Sequence, residues 1–146
     1  MAMEPSNKSL KRDGFREEER ALYELVAGID AAWNRRDAKA FSDLFEEQAD
    51  FRFHTGVTLH GKCEIENYYL GHFPNIREGE KHGSTIRQIR FIKPDVAILD
   101  SEVELFKISE DRGEKEIRLK LMSTTVASKG KGHWFIAVVN LIVPQT

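Results

Sequence analysis

The sequence predicts an α+β domain. Apolar residues fall at helical spacing in the first third of the chain, and at strand spacing over its second half. Between strand-like runs lie short breaks rich in Gly, Pro and Asp, which make consecutive strands antiparallel neighbours. The expected architecture is three helices packed into a curved, mainly antiparallel sheet.

The chain of 146 residues suits one domain. Residues 1–14, with Pro5, Ser6, Asn7, Ser9 and Gly14, offer little to bury and read as a flexible tail. The domain is expected over 15–146. From Phe15, Leu22, Leu25, Val26, Ile29 and Trp33 form one helical stripe that stops near Asn34-Arg35-Arg36. Asp37 then caps a second helix, because its carboxylate can accept an orphan backbone N–H. Ala40, Phe41, Leu44 and Phe45 give that helix its buried face.

Asp50-Phe51-Arg52-Phe53-His54 alternates with period two and reads as a strand. Thr55-Gly56 turns the chain, and Val57-Thr58-Leu59-His60 forms a short second strand. A third helix follows from Lys62 to Phe73, stopped by Pro74 and Asn75. The remainder is a four-stranded meander over His82–Ile92, Val96–Ile108, Glu114–Val126 and His133–Val143.

The last turns fix two expected registers. A turn centred on Asp111 sets Glu102 opposite Lys120 and Glu104 opposite Arg118. It puts Ala97, Leu99, Ser101, Val103 and Leu105 on the other face, with Ile117, Leu119, Leu121 and Ser123. A turn near Gly130 adds Phe135, Ala137, Val139 and Leu141 to that apolar face. A slip of one residue would bury charges, so the pattern favours this phase. The opposite face mixes Asp100, Glu102, Glu104, Arg118 and Lys120 with Met122, Trp134, Ile136 and Val138. Those apolar members point to cover by a second copy of the chain, against the alternative that sheet twist tucks them under a loop.

Composition excludes several classes. Lys plus Arg number 22 and Asp plus Glu 24, so the net charge of -2 lacks the basic excess of a nucleic-acid binder. Gly130-Lys131-Gly132 lacks the strand–loop–helix setting of a phosphate loop and reads as a hairpin turn. The lone Cys63 makes no internal disulfide, no apolar run spans a bilayer, and no signal segment is visible, so a cytoplasmic protein is expected.

Several segments together carry a resemblance: Ala32-Trp33-Asn34-Arg35-Arg36-Asp37, Phe41, Leu44-Phe45, Ala49-Asp50-Phe51, Gly56, and Gly61 with Ile65. Later come Ile89-Arg90-Phe91-Ile92-Lys93-Pro94-Asp95-Val96-Ala97 and Gly132-His133-Trp134-Phe135-Ile136-Ala137. The chain resembles the SnoaL-like branch of the nuclear-transport-factor-2-like superfamily, nearest the SgcJ/EcaC-type group, over about Leu22 to Val143. The resemblance implies a cystatin-like α+β barrel, in which a cone-shaped sheet wraps three helices around a pocket. It also implies a homodimer through the outer sheet face.

Superfamily members include isomerases, cyclases, hydrolases, dehydratases and non-enzymatic binding domains, so fold alone leaves function open. In the steroid-isomerase pattern the Tyr would fall near Ile29, the Asp base near His54 or Thr55, and the protonated Asp near Met122 or Ser123, and none matches. The late-strand acid of cyclase-like members is absent at Ser123, Thr125, Phe135, Ala137 and Val139.

His54, at an expected strand tip by the pocket mouth, is the candidate general acid or base, with Asp50 as its orienting carboxylate. The competing reading of His54 is an exposed strand-end histidine. Trp33, Tyr68, Tyr69, His72, Ser123 and Phe135 are the candidate ligand-binding residues, each with a plain packing alternative. His60-x-x-Cys63 has metal-ligand spacing but no second pair, so neither metal nor cofactor is expected. Two functional readings follow. One is a pocket for a small apolar or aromatic ligand, in an isomerase-, cyclase- or hydrolase-like enzyme without cofactor. The other is a non-catalytic dimeric binding or assembly module with a filled interior.

Overall fold

The computed structural model describes residues 5–145, with side chains over 15–145. Helix α1 (Pro5–Asn34) precedes a one-turn helix α2 (Ala38–Ser42), strands β1 (Phe45–Arg52) and β2 (Thr58–His60), and helix α3 (Lys62–His72). A 3-10 turn over Phe73–Asn75 leads to β3 (Lys81–Lys93), β4 (Val96–Ile108), β5 (Lys115–Gly130) and β6 (His133–Ile142). Of the expected tail, residues 1–4 lie outside the described residues, and α1 begins at Pro5.

All six strands form one sheet in the order β2-β1-β6-β5-β4-β3. Every neighbouring pair is antiparallel except β1 with β6, which run parallel. The architecture is therefore the expected α+β one, with a mainly antiparallel sheet. The sheet is open rather than a closed barrel, with β2 and β3 at its edges.

Local chemistry sets most boundaries. The Asp37 side chain accepts from the Ala40 N–H at 3.0 Å and caps α2, as expected. Arg36 takes a left-handed φ of 59° where the chain reverses between α1 and α2. At the β5–β6 turn, Lys131 and Gly132 have φ of 53° and 82°, the positive values that a two-residue hairpin needs.

Three expectations are corrected. Phe45 belongs to β1, not to the second helix. Its register partner is Ile136, whose N–H donates to the Leu44 carbonyl at 2.9 Å, and this long-range pairing overrides local helical spacing. The β4–β5 register sets Glu104 opposite Lys120 and Glu102 opposite Met122, two residues from the expected pairing but in the same phase.

The third correction concerns β6. An irregularity between Val126 and Ala127 pairs Val126 with Val138 but Ala127 with Ile136, so Ala137 is the extra residue of a bulge. The bulge flips the strand's phase. Trp134 and Ile136 turn inward and are buried, while Phe135 leaves the concave face. Trp134 Nε1 donates to Glu18 Oε2 at 2.8 Å, and Glu18 Oε1 accepts from Lys129 Nζ at 2.7 Å, tying α1 to the β5–β6 hairpin.

The core joins the helices to the concave sheet face. Phe41 lies at its centre, with ring centroids 4.4 Å from Tyr69, 5.4 Å from Phe45 and 6.4 Å from Phe51 and Phe73. Leu22, Ile65 and Leu99 are fully buried around it.

Candidate functional site

A cavity of about 320 Å³ remains between the helices and the concave sheet face. One wall is aromatic, with Trp33 from α1, Phe41 from α2, Phe51 and Phe53 around β1, and Tyr68 and Tyr69 from α3. The sheet supplies hydroxyls instead: Ser84 from β3, Ser101 from β4, and Ser123 and Thr125 from β5. Ser101 and Ser123 are register partners, and Ser123 Oγ lies 3.2 Å from Thr125 Oγ1. Exposed His54 and Arg118 mark the mouth, whereas buried Ser101, Ser123 and Thr125 mark the floor.

His82 is the best-organised polar group of this cavity. Its Nδ1 lies 2.7 Å from Asp30 Oδ1. Asp30 also accepts from Ser84 Oγ at 2.7 Å, through the same oxygen, and from the Ser84 N–H at 2.9 Å through Oδ2. Backbone bonds to Asn34 complete the anchorage, with the His82 N–H donating to Asn34 Oδ1 at 2.8 Å and Asn34 Nδ2 to the His82 carbonyl at 3.1 Å. The imidazole lies against Trp33, with ring centroids 5.2 Å apart. A carboxylate on Nδ1 fixes the Nδ1–H tautomer and leaves Nε2 as the acceptor, the arrangement of an oriented general base.

The expected dyad of His54 and Asp50 does not form. His54 lines the cavity, but it sits in the β1–β2 turn without a hydrogen bond among the described residues. The cause is the register, in which Asp50 faces His60 across β1 and β2. Asp50 Oδ1 therefore meets His60 Nδ1 at 2.6 Å, outside the cavity. That bond raises the His60 pKa above its ordinary value.

Trp33, Tyr68, Tyr69, His72 and Ser123 all line the cavity. Phe135 does not, because of the β6 bulge. Tyr68 stacks on His72 with centroids 5.2 Å apart, and Tyr69 packs among Phe41, Phe51 and Phe73. Burial pushes both phenols up, Tyr69 far above the usual range, which favours their protonated form. Burial pushes the His72 imidazole down.

Arg118 also lines the cavity, whereas the sequence reading set it on the outer face. A register shift between Leu105 and Phe106 is the local cause. Sequence reasoning missed Asp30, His82 and Ser84 as a unit. The available signals were a carboxylate beside the apolar stripe of α1, four residues after Val26 and three before Trp33, and the His82-x-Ser84 spacing on one strand face.

Comparison of the backbone with solved structures places this arrangement. An NTF2-like protein with a cystatin-like fold from Novosphingobium aromaticivorans matches 97% of this chain and 92% of its own, at 16% identity and a TM-score of 0.79. The chain has the fold of the nuclear-transport-factor-2-like, cystatin-like proteins. A candidate scytalone dehydratase from the same organism shares this fold, at 17% identity and a TM-score of 0.78, over 92% of this chain and 89% of that one. So does a domain of unknown function from Nostoc punctiforme, at 22% identity and 0.70, over 99% and 81%. No family model matches the sequence, and no curated protein does. Among the described residues, no helix of this NTF2-like fold is long and apolar enough to cross a membrane.

Proposed function

We propose that the protein is a cofactor-independent proton-transfer enzyme, of the isomerase or dehydratase kind, acting on a small and largely apolar ligand. The observation that carries this reading is Asp30 Oδ1 held 2.7 Å from His82 Nδ1, on an imidazole that lines the cavity. Nε2 of His82 takes a proton from a carbon or hydroxyl of the ligand, and Asp30 stabilises the imidazolium that results. The hydroxyls of Tyr68, Tyr69, Ser101 and Ser123 lie around the same space and supply donors for oxygen that gains charge. The role expected for His54 passes to His82, since His54 lacks an orienting carboxylate. An apolar cavity with a few convergent polar groups supports ligand binding over the alternative of a filled assembly module.

The test needs no knowledge of the natural substrate. Exchange of the acidic carbon protons of 2-tetralone with deuterated water is followed by NMR. The wild type accelerates it, and His82→Gln loses the acceleration, while His54→Ala keeps it. No acceleration by the wild type, or full acceleration by His82→Gln, contradicts the reading.

We infer further that two copies pair through the outer sheet face. Ile98, Val126 and Val138 are successive register partners across β4, β5 and β6 and are half-exposed on the convex side. This apolar row supports a homodimer on a smaller patch than the sequence suggests, since Trp134 and Ile136 lie inside.

A further inference from the structure

Arg118 is the one permanently charged side chain among the described residues that line the cavity, and no carboxylate lines it. A cation at the mouth of an apolar space, with no anion in the lining, favours an anionic ligand over a neutral one of the same shape.

The guanidinium is held in place rather than free to swing into solvent. Its Nε donates to the Glu80 carboxylate, and the Glu80 side chain is only 5% exposed. Glu80 is itself fixed, for Arg36 Nη2 donates to its carbonyl at 2.7 Å. Arg36 also donates from Nη1 to the Trp33 carbonyl at 3.1 Å, and its guanidinium lies 4.6 Å from the Trp33 ring centroid. The chain from Trp33 through Arg36 and Glu80 to Arg118 therefore links a cavity wall to its mouth.

Anchoring through Nε leaves the outer edge of the fork open. Nη1 and Nη2 of Arg118 make no hydrogen bond among the described residues, and the side chain remains 45% exposed. Two parallel N–H groups on one edge match the two oxygens of a carboxylate. Register places this edge relative to the base. Leu105 pairs with His82 on one side and Leu119 on the other, so His82 stands two strands, roughly 10 Å, from the residue next to Arg118.

We propose that the substrate is a carboxylic acid whose carboxylate is received by Nη1 and Nη2 of Arg118, with its apolar body along the aromatic wall and its reacting atom at His82. This rests on the ligand-binding reading above and adds a substrate class to it. Arg118 is the specificity-determining residue, and Glu80 and Arg36 are positioning residues.

Calorimetric binding of 1-naphthoate and of its uncharged counterpart 1-naphthamide to the full chain tests this. The wild type binds the acid about tenfold or more tighter than the amide, the range of a charge-assisted hydrogen bond. Arg118→Met, which keeps the apolar stem, loses that preference and retains its affinity for the amide. Glu80→Gln, which keeps an acceptor for Nε and removes the charge that offsets the guanidinium, retains the preference for the acid. Equal affinities in the wild type, or a preference that survives in Arg118→Met, overturn the proposal and leave the cavity reading intact. Binding of neither compound overturns both. The wild-type comparison decides the matter even where a variant does not fold.

Discussion

Asp30 Oδ1 lies 2.7 Å from His82 Nδ1, although 52 residues separate them in the chain. The pairing joins the last turns of α1 to the start of β3, and it brings one oriented imidazole to the edge of a cavity. Asp30→Asn preserves size, but its amide can present N–H₂ to Nδ1 and favour the opposite tautomer. The expected result is a fall in tetralone exchange approaching that of His82→Gln, with general acid–base contributions typically about 10²–10⁴-fold. Unchanged near- and far-ultraviolet circular dichroism would show that the fold persists.

The aromatic core predicts a large stability effect. Phe41 is 2% exposed and makes ring contacts with Phe45, Phe51, Tyr69 and Phe73. Phe41→Ala is expected to cost about 3–5 kcal/mol in urea unfolding. Leu70→Ala, at a position 56% exposed, should change stability by less than about 0.5 kcal/mol.

A smaller effect is expected at the α2 cap. Asp37 accepts the Ala40 N–H, and α2 is only five residues long. Asp37→Ala should lower stability by about 1 kcal/mol, whereas Asp37→Asn should lose much less.

Two histidines should titrate in opposite directions from the ordinary value of 6.5. Burial lowers His72, so the unfolded chain takes up its proton at a higher pH than the folded one does. Its contribution to stability is present above 6.5 and is lost as pH falls toward the lower folded value. The Asp50 hydrogen bond raises His60, so its contribution is present below 6.5 and is lost as pH rises through the higher folded value. His60 is exposed, and solvent screening keeps that contribution small. NMR titration of the ring protons reads both midpoints, and Asp50→Asn should bring the His60 midpoint down.

The outer face makes a prediction about assembly. Val126→Glu sets a charge in the row formed with Ile98 and Val138. Sedimentation should show a dimer for the wild type and a monomer for the variant. A monomeric wild type would remove the outer face from consideration as an interface.

The sheet was legible where alternation is uninterrupted. β4 runs over Val96–Ile108 as its pattern predicts, and Ala97, Leu99, Ser101 and Val103 are buried as expected. β6 was legible in extent but not in phase, because nothing in the order of Trp134, Phe135, Ile136 and Ala137 announces a bulge. Phe45 carries the same ambiguity, since a short apolar run suits a helix or a strand, and pairing with Ile136 decides. Tyr68, Tyr69 and His72 were legible as one cluster, because helical spacing puts them together. Asp30 and His82 were not, since their contact depends on how α1 crosses β3.

The proposed function requires that an Asp30-oriented His82 meets ligand in the cavity. Its most direct measurement is the side-chain ¹H–¹⁵N correlation spectrum of the histidines, with and without 2-naphthol. The expected spectrum has His82 protonated on Nδ1, an Nε2 resonance that shifts on adding the naphthol, and no Nδ1–H signal in Asp30→Asn. A His82 protonated on Nε2, or an Nε2 resonance unmoved while the naphthol binds, would contradict it.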